Sequence, residues 1–487
     1  MRKKVLIVIA ILTTIAFVAT RVRMRNQESL PPDGGDPDAI AAPKPKAPQP
    51  RKSGPKPPNV VLIVIDTLRR DHVGCYGYTK PTTPQLDKLA SQAVRAEEMI
   101  ASSSWTVPSL MSIFTGLPPS LHQATYKTRF GPGITTLADE LHGQGYQTVG
   151  YASNPFAKTA NGFALGFDDY TEFDGLMAEM SSGHKQRPPI WEVRSSSTVT
   201  RLASKWLDGR NTAQPFFLFA LYFDPHADYV PVAPYDTMFD PGYTGTTKGN
   251  LLSLPNPKLE PRDRAHVEAL YDGEVRDTDG CVGDLIAKLD SLGLANDTLV
   301  IVTSDHGEQF WDHGGTLHGQ TLYDELLRVP FILRWPGHVE AGKSLSGQMS
   351  NLSIMPTVLD AVGARIPVQC QSPSVWSFLS GKAPLEARPV FAETDYQGLD
   401  LRMIRTPTQK IVYDVEKKTG KIFDLAKDPQ EQTNLAETPP AWANELGGTY
   451  DAWAKSITAI RSTMEPARDA DRDAHTLEQL KQLGYGQ

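Results

Sequence analysis

A chain of 487 residues is long enough to bury a large core and to hold more than one domain. Hydrophobic residues make up 40% and charged residues 22%, the balance of an ordinary globular protein. A net charge of −7 lacks the basic excess that a nucleic-acid backbone demands, so nucleic acid is excluded as the expected partner.

The chain opens with Met1-Arg-Lys-Lys, an uncharged apolar run over residues 5–20, and then RVRMR. At ~1.5 Å per residue this run spans ~24 Å, short of a ~30 Å hydrocarbon core unless the flanking arginines snorkel. A basic start and apolar centre also fit a cleavable export signal, although no clear small-residue cleavage site follows. Residues 1–25 are therefore expected to be a membrane anchor or signal segment. The catalytic part is then tethered outside the cytoplasm, in the periplasm or at the cell surface, or secreted if the segment is removed. Residues 31–58 contain ten prolines. Such a stretch cannot bury enough apolar surface to fold, so residues 26–57 read as an extended linker. Three cysteines, Cys75, Cys281 and Cys370, allow at most one disulfide.

From residue 59 the pattern is that of an α/β protein. NVVLIVI (59–65) stops at Asp66, PFFLFALYF (215–223) at Asp224-Pro225-His226, and TLVIVTS (298–304) at Asp305-His306-Gly307-Glu308. Short apolar runs rich in branched and aromatic residues predict strands buried on both faces. Between them, apolar residues at 267, 270, 271, 275, 282, 285, 286 and 289 repeat with a period near 3.6 and predict a helix closing at Gly293. Each strand places carboxylates or histidines just beyond its carboxyl end, where open α/β sheets form their ligand crevice. Three such ends point to one shared metal or catalytic site.

The segment SSSWTVPSLMSIFTG (102–116) predicts a short helix, with Thr106 at or near its N-cap, Pro108 in its first turn and Gly116 closing it. As plain structure, the Thr106 hydroxyl caps a backbone N–H. As chemistry, a hydroxyl at a helix N-terminus faces unpaired N–H groups and the positive end of the dipole, which favour an alkoxide and an incoming anion.

Ordered segments carry a family resemblance: PNVVLIVIDTLRRDHVGCYGY, TTPQLDKLASQAV, TVPSLMSIFTG, YDGEVRDTDGCVGDLIAKLDSLG, TLVIVTSDHGE, TLYDELLRVPFILRWPG, MPTVLDAVG and KIFDLAKDPQEQTNL. Residues ~58–435 resemble the sulfatase family of the alkaline phosphatase superfamily. The resemblance implies a three-layer αβα sandwich around a mostly parallel sheet, with a small C-terminal antiparallel sheet subdomain. The expected division is a catalytic domain over 58–345, a C-terminal subdomain over 346–435 and a helical tail over 436–487.

The chain also departs from that family. The nucleophile frame Cys-x-Pro-Ser-Arg is here Thr106-Val107-Pro108-Ser109-Leu110, so no formylglycine can form. The paired aspartates become Asp66-Thr67, and the Asp-Asn metal pair becomes Asp305-His306. The family's Gly-Lys-Trp-His segment aligns with YASNPF (151–156), which puts Asn154 among the expected substrate-binding residues. The Lys expected before the TLYDE segment is missing, with His318 close by. The implied ligand set is Asp66, Thr106, Asp305 and His306. Three oxygens and an imidazole suit a divalent zinc or manganese ion better than calcium.

These features imply an exported, metal-dependent hydrolase or transferase of sulfate or phosphate esters, with Thr106 as nucleophile and phosphorus favoured. The ester is that of a small molecule, a glycan or a lipid headgroup. His226 and His318 are the candidates for binding ester oxygens and protonating the leaving group, or either joins Asp224 in a second metal site. Arg69, Arg70, Arg328 and Arg334 offer further anion contacts, Arg328 reading more simply as an ion-pair partner. His313 stays outside the expected set, and His122, His184 and His338 carry no motif and read as surface residues. The reading from another class is an inactive, sulfatase-like binding protein at the cell surface.

Overall fold

The computed structural model describes residues 57–172, 195–252 and 257–470. The apolar N-terminal segment, nearly all of the proline-rich linker, His184 and the end of the tail lie outside them. Among the described residues, no helix is long and apolar enough to cross a membrane.

The main sheet contains β1 (Asn59–Ile65), β2 (Val94–Ile100), β3 (Gln147–Ala152), β4 (Asp169–Thr171), β5 (Phe216–Tyr222) and β6 (Thr298–Thr303). Two short strands, β7 (Arg328–Val329) and β8 (Phe331–Arg334), flank Pro330, and β9 (Lys343–Ser350) forms an edge. Proline has no N–H to give a ladder, which accounts for the break between β7 and β8. The spatial order is β9, β2, β7 with β8, β6, β1, β5, β3, β4. Only β7 and β8 run antiparallel to their neighbours, so the sheet is mostly parallel as expected.

Alternation along β1 builds the layers. Val60, Leu62 and Val64 pack on one face with α2 (Thr106–Thr115), α3 (Leu137–Gly143) and α6 (Ile354–Ala361). Val61, Ile63 and Ile65 pack on the other with α1 (Pro84–Ala90), α4 (Ser196–Gly209) and α5 (Pro261–Ser291). Every β1 residue is buried, which is why the strand reads as a continuous apolar run. Each fully buried side chain of this size contributes about 1.5–3 kcal/mol. The predicted periodic helix is α5, and Gly293 follows it at φ +70°.

A second sheet, an antiparallel meander of β10 (Val390–Thr394), β11 (Leu401–Arg405), β12 (Gln409–Asp414) and β13 (Thr419–Asp424), stands beside the main body. Helix α7 (Trp442–Arg461) covers it through Leu446, Tyr450 and Ala454 against Ile404, Ile411 and Tyr413. The division expected at 345/346 falls inside β9, which pairs with β2, and α6 also packs into the main core. The helix that completes the small sheet's core comes from the stretch expected to be a tail. Cys75, Cys281 and Cys370 are free thiols.

Candidate active site

β5, β1 and β6 are neighbours, so their carboxyl ends bring Asp224 to His226, Asp66, and Asp305 with His306 to one crevice. Helix α2 points its N-terminus into the same place. Its N-cap is Trp105 and carries no side-chain capping bond, so Thr106 is the first helical residue. The capping role expected for Thr106 is not what the hydroxyl does. It donates to His306 Nε2 at 3.3 Å and lies 3.5 Å from Asn154 Nδ2. Ser109 ties the helix to the site by donating to the Asp305 carbonyl at 2.6 Å, and Asn351 Nδ2 donates to Ser109 Oγ at 2.9 Å. Gly116 closes the helix in the left-handed region, φ +66°, with its Cα against Cys370.

Asp66, Asp305 and His306 are fully buried, and their ligand atoms lie within 4.8 Å of one another. His306 Nδ1 donates to the Gly307 carbonyl at 2.9 Å, which leaves the Nε2 lone pair facing inward. Around Nε2 lie Asp66 Oδ1 at 3.7 Å and Asp305 Oδ2 at 3.5 Å, and neither oxygen has a hydrogen-bond donor. Burial raises the Asp66 carboxyl well above its usual range, and the neighbouring Asp305 charge adds to it. Burial likewise pushes Asp305 up to about 7, and holds His306 well below the usual imidazole range. Two buried carboxylates with orphaned oxygens beside a neutral imidazole make a donor set that fits a divalent cation.

Asn154, also fully buried, donates from Nδ2 to Asp66 Oδ2 and accepts from Phe156 N at 2.7 Å. It orients Asp66 and stands beside Thr106. The rings of His226, His318 and His306 form a row, with centroids 4.8 Å and 4.6 Å apart. His226 Nδ1 donates to the Ala227 carbonyl at 2.7 Å, and its buried Nε2 has no partner. Burial lowers this imidazole to about 3, the charge of His318 adding to the effect. His318 Nδ1 donates to Glu308 Oε1 at 2.9 Å, while Tyr229 Oη donates to Glu308 Oε2 at 2.9 Å.

Glu308 is the residue that sequence reasoning passed over, although it stands in the quoted DHGE segment. A short hairpin, Gln309–Phe310 against Thr316–Leu317, turns the chain back so that His318 meets it. Spacing alone does not reveal such a return.

Other expectations meet corrections. Asp224 is not part of a second metal site with the histidines, because its carboxylate holds the start of α4. Ser196 N donates to it at 2.9 Å and Ser196 Oγ at 2.6 Å. The four arginines are ion-paired: Arg69 with Asp71 and Asp312, Arg70 with Glu97, Arg328 with Glu98, and Arg334 with Asp290. His313 is stacked on Tyr323 and bonded to Glu325. His338 is exposed, but His122 is fully buried and hydrogen-bonded to Ser112 and to Ala124 N, so it is no surface residue.

Residues 58–364 match the family model described as Sulfatase, and residues 313–444 match the one described as N-sulphoglucosamine sulphohydrolase, C-terminal. The chain is 26% identical over 476 residues to the multifunctional alkaline phosphatase superfamily protein PehA of Trinickia caryophylli, across 78% of this chain and 91% of that protein. It is 25% identical over 408 residues to the ulvan-active sulfatase of Formosa agariphila, across 79% of this chain and 78% of that one. The crystal structure of the phosphonate monoester hydrolase of Agrobacterium radiobacter superposes with a TM-score of 0.69 at 22% identity, over 83% of this chain and 96% of the other. That likeness speaks for the fold. With the family model spanning well over half of its length, the chain belongs to the sulfatase family.

Proposed function

We propose that the protein is a metal-dependent hydrolase or transferase of sulfate or phosphate esters that works through Thr106 in place of a formylglycine. The observation that carries this reading is the hydroxyl of Thr106 at a helix N-terminus, 3.3 Å from His306 Nε2 and beside two carboxylates with unpartnered oxygens. Asp66, Thr106, Asp305 and His306 would hold the ion, with zinc or manganese favoured over calcium because one donor is an imidazole. When bound, the ion lowers the hydroxyl pKa and offsets charge on the ester oxygens.

Thr106 Oγ1 attacks the phosphorus or sulfur, and the bond to the leaving alcohol breaks. His318, backed by the Glu308 carboxylate, delivers a proton to that alcohol, while His226 keeps a free lone pair for an ester hydroxyl or the incoming water. Water, or a second alcohol, then releases the Thr106 ester. The amide of Asn154 holds Asp66 in place and lines the anion's side of the crevice. Site chemistry favours phosphorus over sulfur. The relatives named as a multifunctional alkaline phosphatase superfamily protein and a phosphonate monoester hydrolase support that preference, and the ulvan-active sulfatase supports the sulfate alternative. An inactive binding protein accords poorly with a site that keeps its hydroxyl, both carboxylates and three oriented imidazoles.

The test is stripped enzyme, re-supplied with Zn²⁺, Mn²⁺ or Ca²⁺, on aryl sulfates, phosphate monoesters and phosphodiesters. Turnover should return with zinc or manganese, and restoration by calcium alone refutes the ligand set. Thr106→Ser should keep substantial activity, whereas Thr106→Val should lose several powers of ten, because nucleophile and one ligand vanish together. A Thr106→Val enzyme that turns over like the parent refutes the mechanism.

A further inference from the structure

We propose that the Thr67 hydroxyl is a further ligand of the divalent ion at Asp66, Asp305 and His306, an inference that rests on the metal-dependent reading above. Thr67 follows Asp66 at the end of β1 and is fully buried. Its Oγ1 is buried and has no hydrogen-bond partner. A hydroxyl withdrawn from water without a partner is costly, and such groups are rare unless a ligand completes them.

The surroundings aim this residue rather than merely tolerate it. Thr67 has φ +54°, a left-handed conformation that a β-branched residue seldom adopts and that persists only where neighbours impose it. Its backbone N–H hydrogen-bonds to the carboxylates of both Asp66 and Asp305, which clamps the residue between them. Its carbonyl accepts from Tyr271 Oη at 2.9 Å, and that oxygen accepts from Arg69 N at 2.9 Å. Leu68 N donates to Ser304 Oγ at 3.1 Å and closes the turn on the end of β6.

Three buried oxygens without partners therefore lie in one turn and its neighbour: Asp66 Oδ1, Asp305 Oδ2 and Thr67 Oγ1. A single cation satisfies all three. As a neutral oxygen, Thr67 adds a coordination position without adding a third negative charge to a site where two carboxylates already repel each other. Beside Thr106, it brings the set to four oxygens and one imidazole.

Affinity for Zn²⁺ and Mn²⁺ is to be measured by competition with a chelator, without substrate, on the parent chain and on Thr67→Gly, Thr67→Asn and Thr67→Ser. Glycine and asparagine both accept the left-handed backbone, so neither is expected to unfold the turn, and melting of the metal-free forms verifies this. Glycine removes the oxygen, and asparagine replaces it with a carbonyl. Thr67→Gly should weaken affinity about tenfold or more, as loss of a ligand or its close support does, while Thr67→Asn and Thr67→Ser stay close to the parent. Parent-like affinity in Thr67→Gly overturns the inference and leaves the metal-dependent reading standing. A loss in Thr67→Asn as large as in Thr67→Gly also overturns it. Failure of the parent chain to bind either ion overturns that reading together with this inference.

Discussion

Buried oxygens that no donor reaches are the most telling feature at the scale of single residues. His306 has its Nδ1 spent on a backbone carbonyl and its Nε2 directed at Asp66 and Asp305, which makes it a ligand rather than a core imidazole. His306→Ala should therefore lower the zinc or manganese content measured by atomic absorption, with little change in melting of the metal-free protein. Glu308 is a positioning residue, fully buried and shared between His318 and Tyr229. Glu308→Gln should reduce turnover by about 10–100-fold while metal content is retained, the usual scale for a support of this kind. The pairing of effects matters: loss of metal along with turnover would place Glu308 in the ion's own support and not in that of His318.

At the scale of elements, the site depends on how strand ends and helix starts are joined. Asp224 has the look of a ligand because it follows a strand and precedes a histidine by two residues. Instead it accepts from Ser196 N and Oγ at the first turn of α4, a capping role played from a distant strand. Asp224→Ala should cost about 1–3 kcal/mol in urea unfolding, because those donors lose a charged acceptor, and should leave metal content unchanged. Gly116 shows the same dependence on local geometry. At φ +66° an added Cβ would lie 2.8 Å from Cys370 Sγ. Gly116→Ala should cost about 1–2 kcal/mol for the left-handed backbone alone, read as a lower melting temperature.

Over the whole molecule, the two sheets are joined by a buried charge network. Asp324, just before β7, accepts from Arg405 of β11 at 2.8 Å and from Lys410 of β12 at 2.8 Å. Lys410 also pairs with Glu431 at 2.7 Å, Arg405 with Glu98 at 3.1 Å, and Arg328 lies 4.0 Å from Asp324. Burial opposes ionisation of Asp324, but Lys410 and Arg405 outweigh it and hold the carboxyl well below its usual range. A depressed carboxyl contributes stability that is present above its unfolded value of about 3.9 and is lost as pH falls toward its folded value. Asp324→Asn should thus cost about 3–5 kcal/mol near neutral pH, since it leaves buried cations short of a partner. In melts across a pH series, the gap from the parent should narrow below about pH 4. A gap that stays constant with pH would mean that Asp324 acts by packing and not by charge.

The amino-acid order alone determined the α/β class, the three buried strands, the periodic helix of 261–291 and the residues that end those strands. It could do so because burial on both faces demands uninterrupted apolar runs and a half-buried helix demands its 3.6 period. Asp66, Thr106, Asp305 and His306 were legible for the same reason, since chemistry at the mouth of a parallel sheet must stand directly after a strand or at a helix start. Whether Thr106 caps its helix or faces His306 was not legible, because both need a hydroxyl at one position and differ only in where neighbouring chains lie. The same holds for Asp224, whose partners sit 28 residues earlier, and for Glu308, which meets His318 only through a hairpin. Tertiary structure decided these points because a side chain's role is set by the nearest donor, and distant segments supply that donor.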